Sequence, residues 1–229
     1  MKKIICLSLL VPLCFFNCQQ KSDPQKEAPK PSPIQLEKVA PIFDYDTTAW
    51  TDIGLVDTTI LLDIKYATTD NFVKEKMYDC GRCWLRPEVA ERVMKAQRQL
   101  QAKGLGLKIF DCYRPKPVQE KLWAKVPNAN YVTPPSKGSM HNRGAAVDLT
   151  IVDENGVDLD MGTAYDYFGQ EAHHTYTQHS KEVASNRALL KSLMESLELR
   201  PIRTEWWHYS YRGKTYEISE ALWNCPSEE

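Results

Sequence analysis

Two short runs, far apart in the chain, carry polar residues that only a specific fold can bring together. The first run, 139–148, reads SMHNRGAAVD, and the second, 205–208, reads EWWH. Together they offer two imidazoles and two carboxylates. A catalytic zinc site uses about three protein nitrogen or oxygen ligands, and a nearby carboxylate accepts the proton of the activated water. The two runs therefore predict a zinc hydrolase with one Zn²⁺ per chain. The predicted ligands are His141, Asp148 and His208, and the predicted general base is Glu205.

The spacing of the second run sets a geometric condition on this site. Side chains alternate between the two faces of a regular strand, which would place Glu205 and His208 on opposite faces. Both can reach one metal ion only if the strand ends, bulges or bends between them, or if Glu205 lies in the preceding turn. Gly144 lacks a side chain, so the backbone can approach closely where the strand of Asp148 begins.

Length and composition fit one ordinary globular domain. The chain has 229 residues, 42% of them hydrophobic, and a formal net charge of -1 at pH 7. A chain of this size is commonly a single domain. The small net charge gives no reason to expect nucleic acid or an anionic membrane surface as a partner.

The first 18 residues have the pattern of an export signal. A short basic start precedes the almost wholly apolar stretch 4–16, which is too short for a transmembrane helix of ~20 residues. We therefore predict a signal peptide over 1–18 and an exported protein in the periplasm or cell envelope. Cys18 closes the apolar stretch as the lipidated cysteine of a bacterial lipoprotein signal does. Asn17 departs from the small residue preferred there, so the alternatives are Cys14 as the lipidated residue or an ordinary secreted protein.

Residues 19–49 have the composition of a tether. Prolines stand among lysines in this segment, and it has few large apolar groups. Such a segment cannot bury enough surface to offset the entropy lost on ordering. The catalytic domain is predicted to cover 50–229, which is long enough to form a core without covalent staples.

The predicted domain keeps four cysteines: Cys80, Cys83, Cys112 and Cys225. An even number of cysteines in an exported protein predicts disulfides, and the three possible pairings stay open. Cys80 and Cys83 alternatively form half of a structural zinc site, but no second Cys-x-x-Cys or Cys-x-x-His run completes it. We therefore predict structural disulfides.

Hydrophobic periodicity predicts the elements of the domain. The predicted strands are 59–66, 106–112, 145–152 and 205–211. One predicted helix starts at Pro87 and stops at Gly104, and two others cover 117–126 and 180–199. The turn 153–156 leads to a predicted returning strand. Helices alternate with strands, yet hairpins join several of the strands. This pattern favours a single α+β domain with a mostly antiparallel central sheet packed by helices.

Further motifs accompany the two polar runs. The patterns Ser-x-His-x-x-Gly-x-Ala-x-Asp at 139–148 and Glu-x-x-His at 205–208 are joined by DCYRP at 111–115. This set resembles the zinc D-Ala-D-Ala metallopeptidase family. The run MGTAYD at 161–166 narrows the resemblance to VanX-type D-alanyl-D-alanine dipeptidases. The similarity spans about 57–211, essentially the whole predicted domain.

The resemblance implies a role for further residues beside the predicted zinc ligands and general base. Arg114 matches the arginine that polarises the scissile carbonyl and stabilises the oxyanion. Asp166 matches the carboxylate that binds the free ammonium of the dipeptide, with Tyr66 beside it. Ser139 matches a hydroxyl near the substrate carboxylate. The chain departs from the family pattern at three positions that are expected not to touch the chemistry: Met140, Asn142 and Cys112.

The resemblance implies a zinc dipeptidase that cleaves D-alanyl-D-alanine, and the N-terminal signal predicts that this enzyme is exported and lipid-anchored. Its partner is then a small D,D-dipeptide, with membrane contact only through Cys18. A D,D-carboxypeptidase that trims peptidoglycan stem peptides is an alternative with the same catalytic residues. Asp166 favours the dipeptidase, because a carboxypeptidase gains nothing from a carboxylate that binds a free ammonium. A third alternative is a non-catalytic, wall-binding lipoprotein with a relic zinc site, and the complete catalytic set argues against it.

Overall fold

The described part of the chain alternates short strands with helices. The computed structural model describes residues 43–225. Its strands are β1 (Thr51–Asp52), β2 (Leu61–Leu62), β3 (Trp84–Leu85), β4 (Gly106–Asp111), β5 (Ala146–Val152), β6 (Leu199–Ile202) and β7 (Glu205–Tyr211). Its α-helices are α1 (Ile53–Val56), α2 (Pro87–Gln101), α3 (Lys116–Lys125) and α4 (Lys181–Ser196). Single 3₁₀ turns cover Lys65–Ala67, His141–Arg143 and Gln170–Ala172.

The central sheet contains five strands within residues 43–225, in the order β2-β4-β5-β7-β6. β2 and β4 are parallel, and each other neighbouring pair is antiparallel. β1 and β3 form a separate antiparallel pair. The prediction of an α+β domain with a mostly antiparallel central sheet is confirmed.

Helices α2 and α4 begin and end close to their predicted limits. Pro87 stands in the first turn of α2, where its fixed φ suits the helix and its missing N–H costs no hydrogen bond. Ser180 caps α4, since its side chain accepts a hydrogen bond from the backbone N–H of Val183 at 3.2 Å.

Helices α2 and α4 cover one face of the sheet. Val93 of α2 and Leu190 of α4 belong to the same buried cluster as Val147 and Leu149 of β5. Side chains alternate along a strand, so Asp148, between those two residues, points to the opposite face. The polar residues of the predicted site therefore lie on the face away from α2 and α4.

Two predicted strands are shorter than expected. The strand predicted over 59–66 is reduced to Leu61–Leu62, because the chain turns into the 3₁₀ helix at Lys65–Ala67, which buries Tyr66. The prediction of a returning strand after the turn 153–156 is wrong. Only one isolated bridge, between Val152 and Asp158, forms there in the described residues.

The four cysteines form two disulfides. Cys80 is bonded to Cys225, and Cys83 is bonded to Cys112, with Cα–Cα distances of 5.8 and 5.2 Å. The prediction of disulfides is confirmed, and the structure resolves their pairing. The loop before β3 is thereby joined both to the C-terminal segment and to the end of β4.

The predicted signal peptide, Cys18 and most of the predicted tether lie outside the described residues. The last tether residues, 43–49, contact the domain. Asp44 forms an ion pair with Arg82 at 2.6 Å, and the rings of Tyr45 and Trp84 are 5.3 Å apart. This part of the predicted tether therefore belongs to the folded unit. No helix within residues 43–225 is long and apolar enough to span a membrane.

Candidate metal centre

The three predicted metal ligands meet at one end of the sheet. Asp148 of β5 and His208 of β7 stand directly opposite each other, and His141 approaches from the 3₁₀ turn before β5. His141 Nε2 lies 3.1 Å from His208 Nδ1 and 3.3 Å from Asp148 Oδ1, and the latter two atoms are 3.0 Å apart. Ligand atoms at 2.0–2.1 Å from a tetrahedral zinc ion stand about 3.3 Å apart. The buried triangle therefore fits one zinc ion.

Neighbouring groups orient two of these ligands. His141 Nδ1 lies 2.6 Å from the backbone carbonyl oxygen of Cys112, which can only accept a hydrogen bond. His141 therefore carries its proton on Nδ1, and the Nε2 lone pair faces the triangle. The Tyr165 hydroxyl donates to Asp148 Oδ2 at 3.1 Å, which leaves Oδ1 for the metal. Burial would raise the pKa of Asp148, but the two imidazoles outweigh it and lower that pKa.

The irregularity that the Glu-x-x-His spacing demanded occurs in β7. Pro201 of β6 pairs with Tyr209, but the next β6 residue, Ile202, pairs with Glu205. Residues 206–208 are thus skipped in the pairing with β6, and β7 departs from regular alternation there. Glu205 Oε2 comes within 4.0 Å of His208 Nδ1. Burial raises the pKa of Glu205 to about 7, which suits a group that must accept and return a proton.

Arg114 is held rigidly beside the triangle. Its Nε and Nη2 donate to Asp111 Oδ2 at 3.1 and 2.7 Å, and its Nη1 donates to Gln119 Oε1 at 3.0 Å. A guanidinium has five N–H groups, so these contacts leave one N–H on each terminal nitrogen for a ligand in the cavity. Neither Asp111 nor Gln119 was predicted as a site residue from the sequence. Asp111 lies in the DCYRP run and gave a weak signal, whereas Gln119 gave none.

Two positions that were expected not to touch the chemistry support the site directly. Asn142 is buried, its Nδ2 donates to the Arg114 carbonyl at 2.7 Å, and its Oδ1 accepts from the Ser139 backbone N–H at 2.8 Å. The Cys112 carbonyl accepts from His141, as described above. The Asn142 side chain therefore helps to hold Arg114 and Ser139, whereas the contact at Cys112 comes from a backbone carbonyl that any residue type would supply.

The remaining predicted residues line the same cavity, which has a volume of about 240 Å³. Asp166 adopts a left-handed backbone with φ 56°, and its Oδ2 accepts a hydrogen bond from the Tyr66 hydroxyl at 3.0 Å. Burial, together with the nearby Asp148, raises the pKa of Asp166 well above its usual value. Ser139 also lines the cavity, and its Oγ accepts from the His141 backbone N–H at 3.0 Å. Arg212, which was not predicted, stands exposed at the rim.

This α+β fold, with its two-histidine, one-aspartate triangle and adjacent carboxylate, is suited to a mononuclear metallopeptidase. The chain belongs to the peptidase M15 family described as D-ala-D-ala dipeptidase, which matches residues 46–222.

Curated relatives agree with this family assignment. The chain is 35% identical over 181 residues to the D-alanyl-D-alanine dipeptidase of Escherichia coli K12, covering 79% of this chain and 94% of the relative. It is 34% identical over 178 residues to the enzyme of the same name from Enterococcus faecium, covering 69% and 88%. The solved structure of VanYB in complex with D-alanine-D-alanine shares 14% identity and a TM-score of 0.37, over 60% of this chain and 74% of that one. That likeness is too low to support any conclusion.

Proposed function

We propose that the protein is a zinc-dependent dipeptidase that hydrolyses D-alanyl-D-alanine. The charge around the cavity carries this proposal. Asp148, Asp166 and Glu205 border the cavity, and none of them pairs with a lysine or arginine among the described residues. One divalent cation and one ammonium group would neutralise these three carboxylates. A dipeptide with a free amino end supplies that ammonium, and the family and its relatives support this substrate.

The size of the cavity supports a small substrate. Its volume of about 240 Å³ lies below the ~300–1,000 Å³ that is usual for drug-sized ligands. In this proposal Asp166 accepts hydrogen bonds from the ammonium at one end. Ser139 Oγ–H and the guanidinium of Arg212 are available to the carboxylate at the other end. A site that binds both termini selects dipeptides over longer chains.

The chemistry follows from the groups between those ends. Zinc, when bound to the triangle, supplies Lewis-acid polarisation and lowers the pKa of water. Glu205 accepts a proton from the attacking water at Oε2 and returns it to the leaving amine. The two unused N–H groups of Arg114 donate to the oxygen that becomes negatively charged. One such donor is worth about 2.7–4 kcal/mol of transition-state stabilisation.

The location of the enzyme is part of the same proposal. We propose that residues 1–18 direct export, that Cys18 carries a lipid, and that the enzyme acts in the periplasm or cell envelope. The two disulfides among the described residues support an oxidising compartment. Incorporation of labelled palmitate into the wild type but not into Cys18→Ser tests the lipid, and equal labelling of both would contradict it.

Substrate comparison tests the proposed reaction. Release of D-alanine is measured with D-Ala-D-Ala, L-Ala-L-Ala and a stem pentapeptide ending in D-Ala-D-Ala. We expect hydrolysis of the D,D-dipeptide, its loss on chelation and its return with Zn²⁺. We also expect Asp166→Asn to lower kcat/KM for the dipeptide by about 10- to 100-fold, the effect of losing one charge-assisted hydrogen bond.

Asp160→Asn is the matched control for that variant. Asp160 is an exposed carboxylate six positions earlier in the same loop, where its Oδ1 accepts from the Gly162 N–H at 2.7 Å. This variant should keep the wild-type rate. A pentapeptide rate equal to or above the dipeptide rate, with no effect of Asp166→Asn, would instead establish the D,D-carboxypeptidase. Activity that survives complete zinc removal would exclude both.

A further inference from the structure

The Cys-x-x-Cys run at 80–83 has no part in the proposed chemistry, yet it connects two regions of the fold. Cys80 reaches the C-terminal segment through Cys225, while Cys83 reaches the end of β4 through Cys112. Cys83 and Cys112 are buried, with relative exposures of 0% and 1%. This inner disulfide includes Cys112, whose backbone carbonyl accepts a hydrogen bond from the proposed metal ligand His141.

The segment 111–114 carries three groups of the site. They are the Asp111 carboxylate, the Cys112 carbonyl and the Arg114 guanidinium. The pairing of β4 with β5 ends at Asp111, opposite Asp148, so the sheet does not hold the residues that follow. Tyr113 N–H donates to the Trp84 carbonyl at 2.9 Å. The Cys83–Cys112 disulfide is the covalent link in the same place.

The carbonyl of Cys112 connects this link to the metal ligands. It accepts the Nδ1–H of His141 and thereby sets the direction of the opposite ring nitrogen. We propose that the Cys83–Cys112 disulfide is a positioning element of the metal centre, because it holds the carbonyl that orients His141. This inference rests on the zinc site of the proposed function. Full zinc affinity then develops only after the disulfide has formed, which links assembly of the site to an oxidising compartment.

The two disulfides predict opposite rankings for stability and metal binding. The Cys80–Cys225 bond spans 145 residues and the Cys83–Cys112 bond spans 29. A longer closed loop restricts the unfolded chain more, so loss of the outer bond should lower Tm more. Zinc affinity should respond only to the inner bond, because Cys112 alone of the four cysteines contacts a metal ligand among the described residues. A purely stabilising role would rank both effects the same way.

The test compares two double variants of the mature protein. These are Cys83→Ala with Cys112→Ala and Cys80→Ala with Cys225→Ala. Zinc dissociation constants are measured by competition with a chromogenic chelator, and Tm is measured on the zinc-free proteins. We expect the inner pair to bind zinc about 10- to 100-fold more weakly, the usual effect of disturbing a ligand's hydrogen-bond partner. We expect the outer pair to keep the wild-type affinity and to show the larger fall in Tm.

A second variant of the Cys83–Cys112 pair keeps the test valid if the first variant folds poorly. Cys83→Ala with Cys112→Val fills the volume of the sulfur atoms without a covalent bond, and it should show the same loss of zinc affinity. Wild-type affinity in either folded inner variant, or an equal loss in the outer pair, would overturn the inference. Wild-type protein that binds no zinc would instead contradict the proposed function itself.

Discussion

Glu205 is the residue whose replacement separates proton transfer from metal binding. It borders the cavity but is not one of the three residues that form the metal triangle. Glu205→Gln keeps the shape and removes the proton acceptor, so we expect kcat to fall by about 10²- to 10⁴-fold. Zinc content, measured by elemental analysis, should stay at one ion per chain because His141, Asp148 and His208 are unchanged. Loss of zinc together with activity would show that Glu205 acts as a ligand instead.

The proposed metal ligands and Glu205 could be predicted because their chemistry and spacing are distinctive, whereas the roles of Arg114 and Asp166 came from the family resemblance. The residues that hold them could not be predicted. Gln119 fixes Arg114, and Tyr165 fixes one oxygen of Asp148. Glutamine and tyrosine are common in many settings, and each contact depends on how two segments pack. The residue spacing within one segment does not show how that segment packs against another.

Among the elements, the junction between the 3₁₀ turn and β5 has little steric tolerance. Gly144 has φ 67° there, and a Cβ at this position would overlap the ring of Trp50. Gly144→Ala combines the left-handed penalty with overpacking, so we expect a loss of about 2–4 kcal/mol in the free energy of unfolding. Because this junction connects His141 with Asp148, zinc affinity should fall as well. Denaturant unfolding and chelator competition measure the two effects.

Gly104→Ala is the control for that substitution. Gly104 has φ 71° beyond the end of α2, and a Cβ there would meet nothing within 4 Å. Only the left-handed penalty of about 1–2 kcal/mol should appear, with zinc affinity unchanged. Equal losses in both variants would show that contact with Trp50 contributes nothing to the junction.

Elements with strong periodicity or caps were predicted closely, whereas edge elements were not. β6 was missed because it contains Pro201, and proline argues against a strand interior. β6 lies at the edge of the sheet, where a missing N–H leaves no ladder bond unmade. Whether such a segment forms a strand depends on the neighbour that pairs with it, here β7.

For the whole molecule, the fold class followed from the alternation of helical and strand patterns. The order of the strands did not. β7 lies between β5 and β6, and this placement makes His208 the cross-strand neighbour of Asp148. The hydrophobic pattern gives the order of the elements along the sequence. The order of the strands in the sheet depends on which buried faces pack together. From the sequence, the meeting of the metal ligands could only be inferred from the proposed chemistry, and the structure then showed it.

The dependence of global stability on pH has a source outside the metal centre. Burial, together with the charges of Lys191 and Arg187, lowers the pKa of His174 to about 4. An unfolded histidine has a pKa near ~6.5, so between these values the unfolded chain binds a proton that the folded chain does not. Stability is therefore complete above about pH 6.5 and falls as the pH drops toward 4.

His174→Gln tests this origin of acid sensitivity. The full shift corresponds to about 3 kcal/mol, and screening of the partly exposed ring reduces it to about 1–2 kcal/mol. We expect the unfolding free energy of the variant, measured by urea titration, to decline less than that of the wild type between pH 7 and pH 4. At pH 8 the histidine is neutral in both states, so the difference there reports packing alone. The packing change is present at every pH, so only a titrating His174 makes the difference in unfolding free energy between variant and wild type depend on pH. If that difference stays constant from pH 8 to pH 4, the acid sensitivity has its source in other groups.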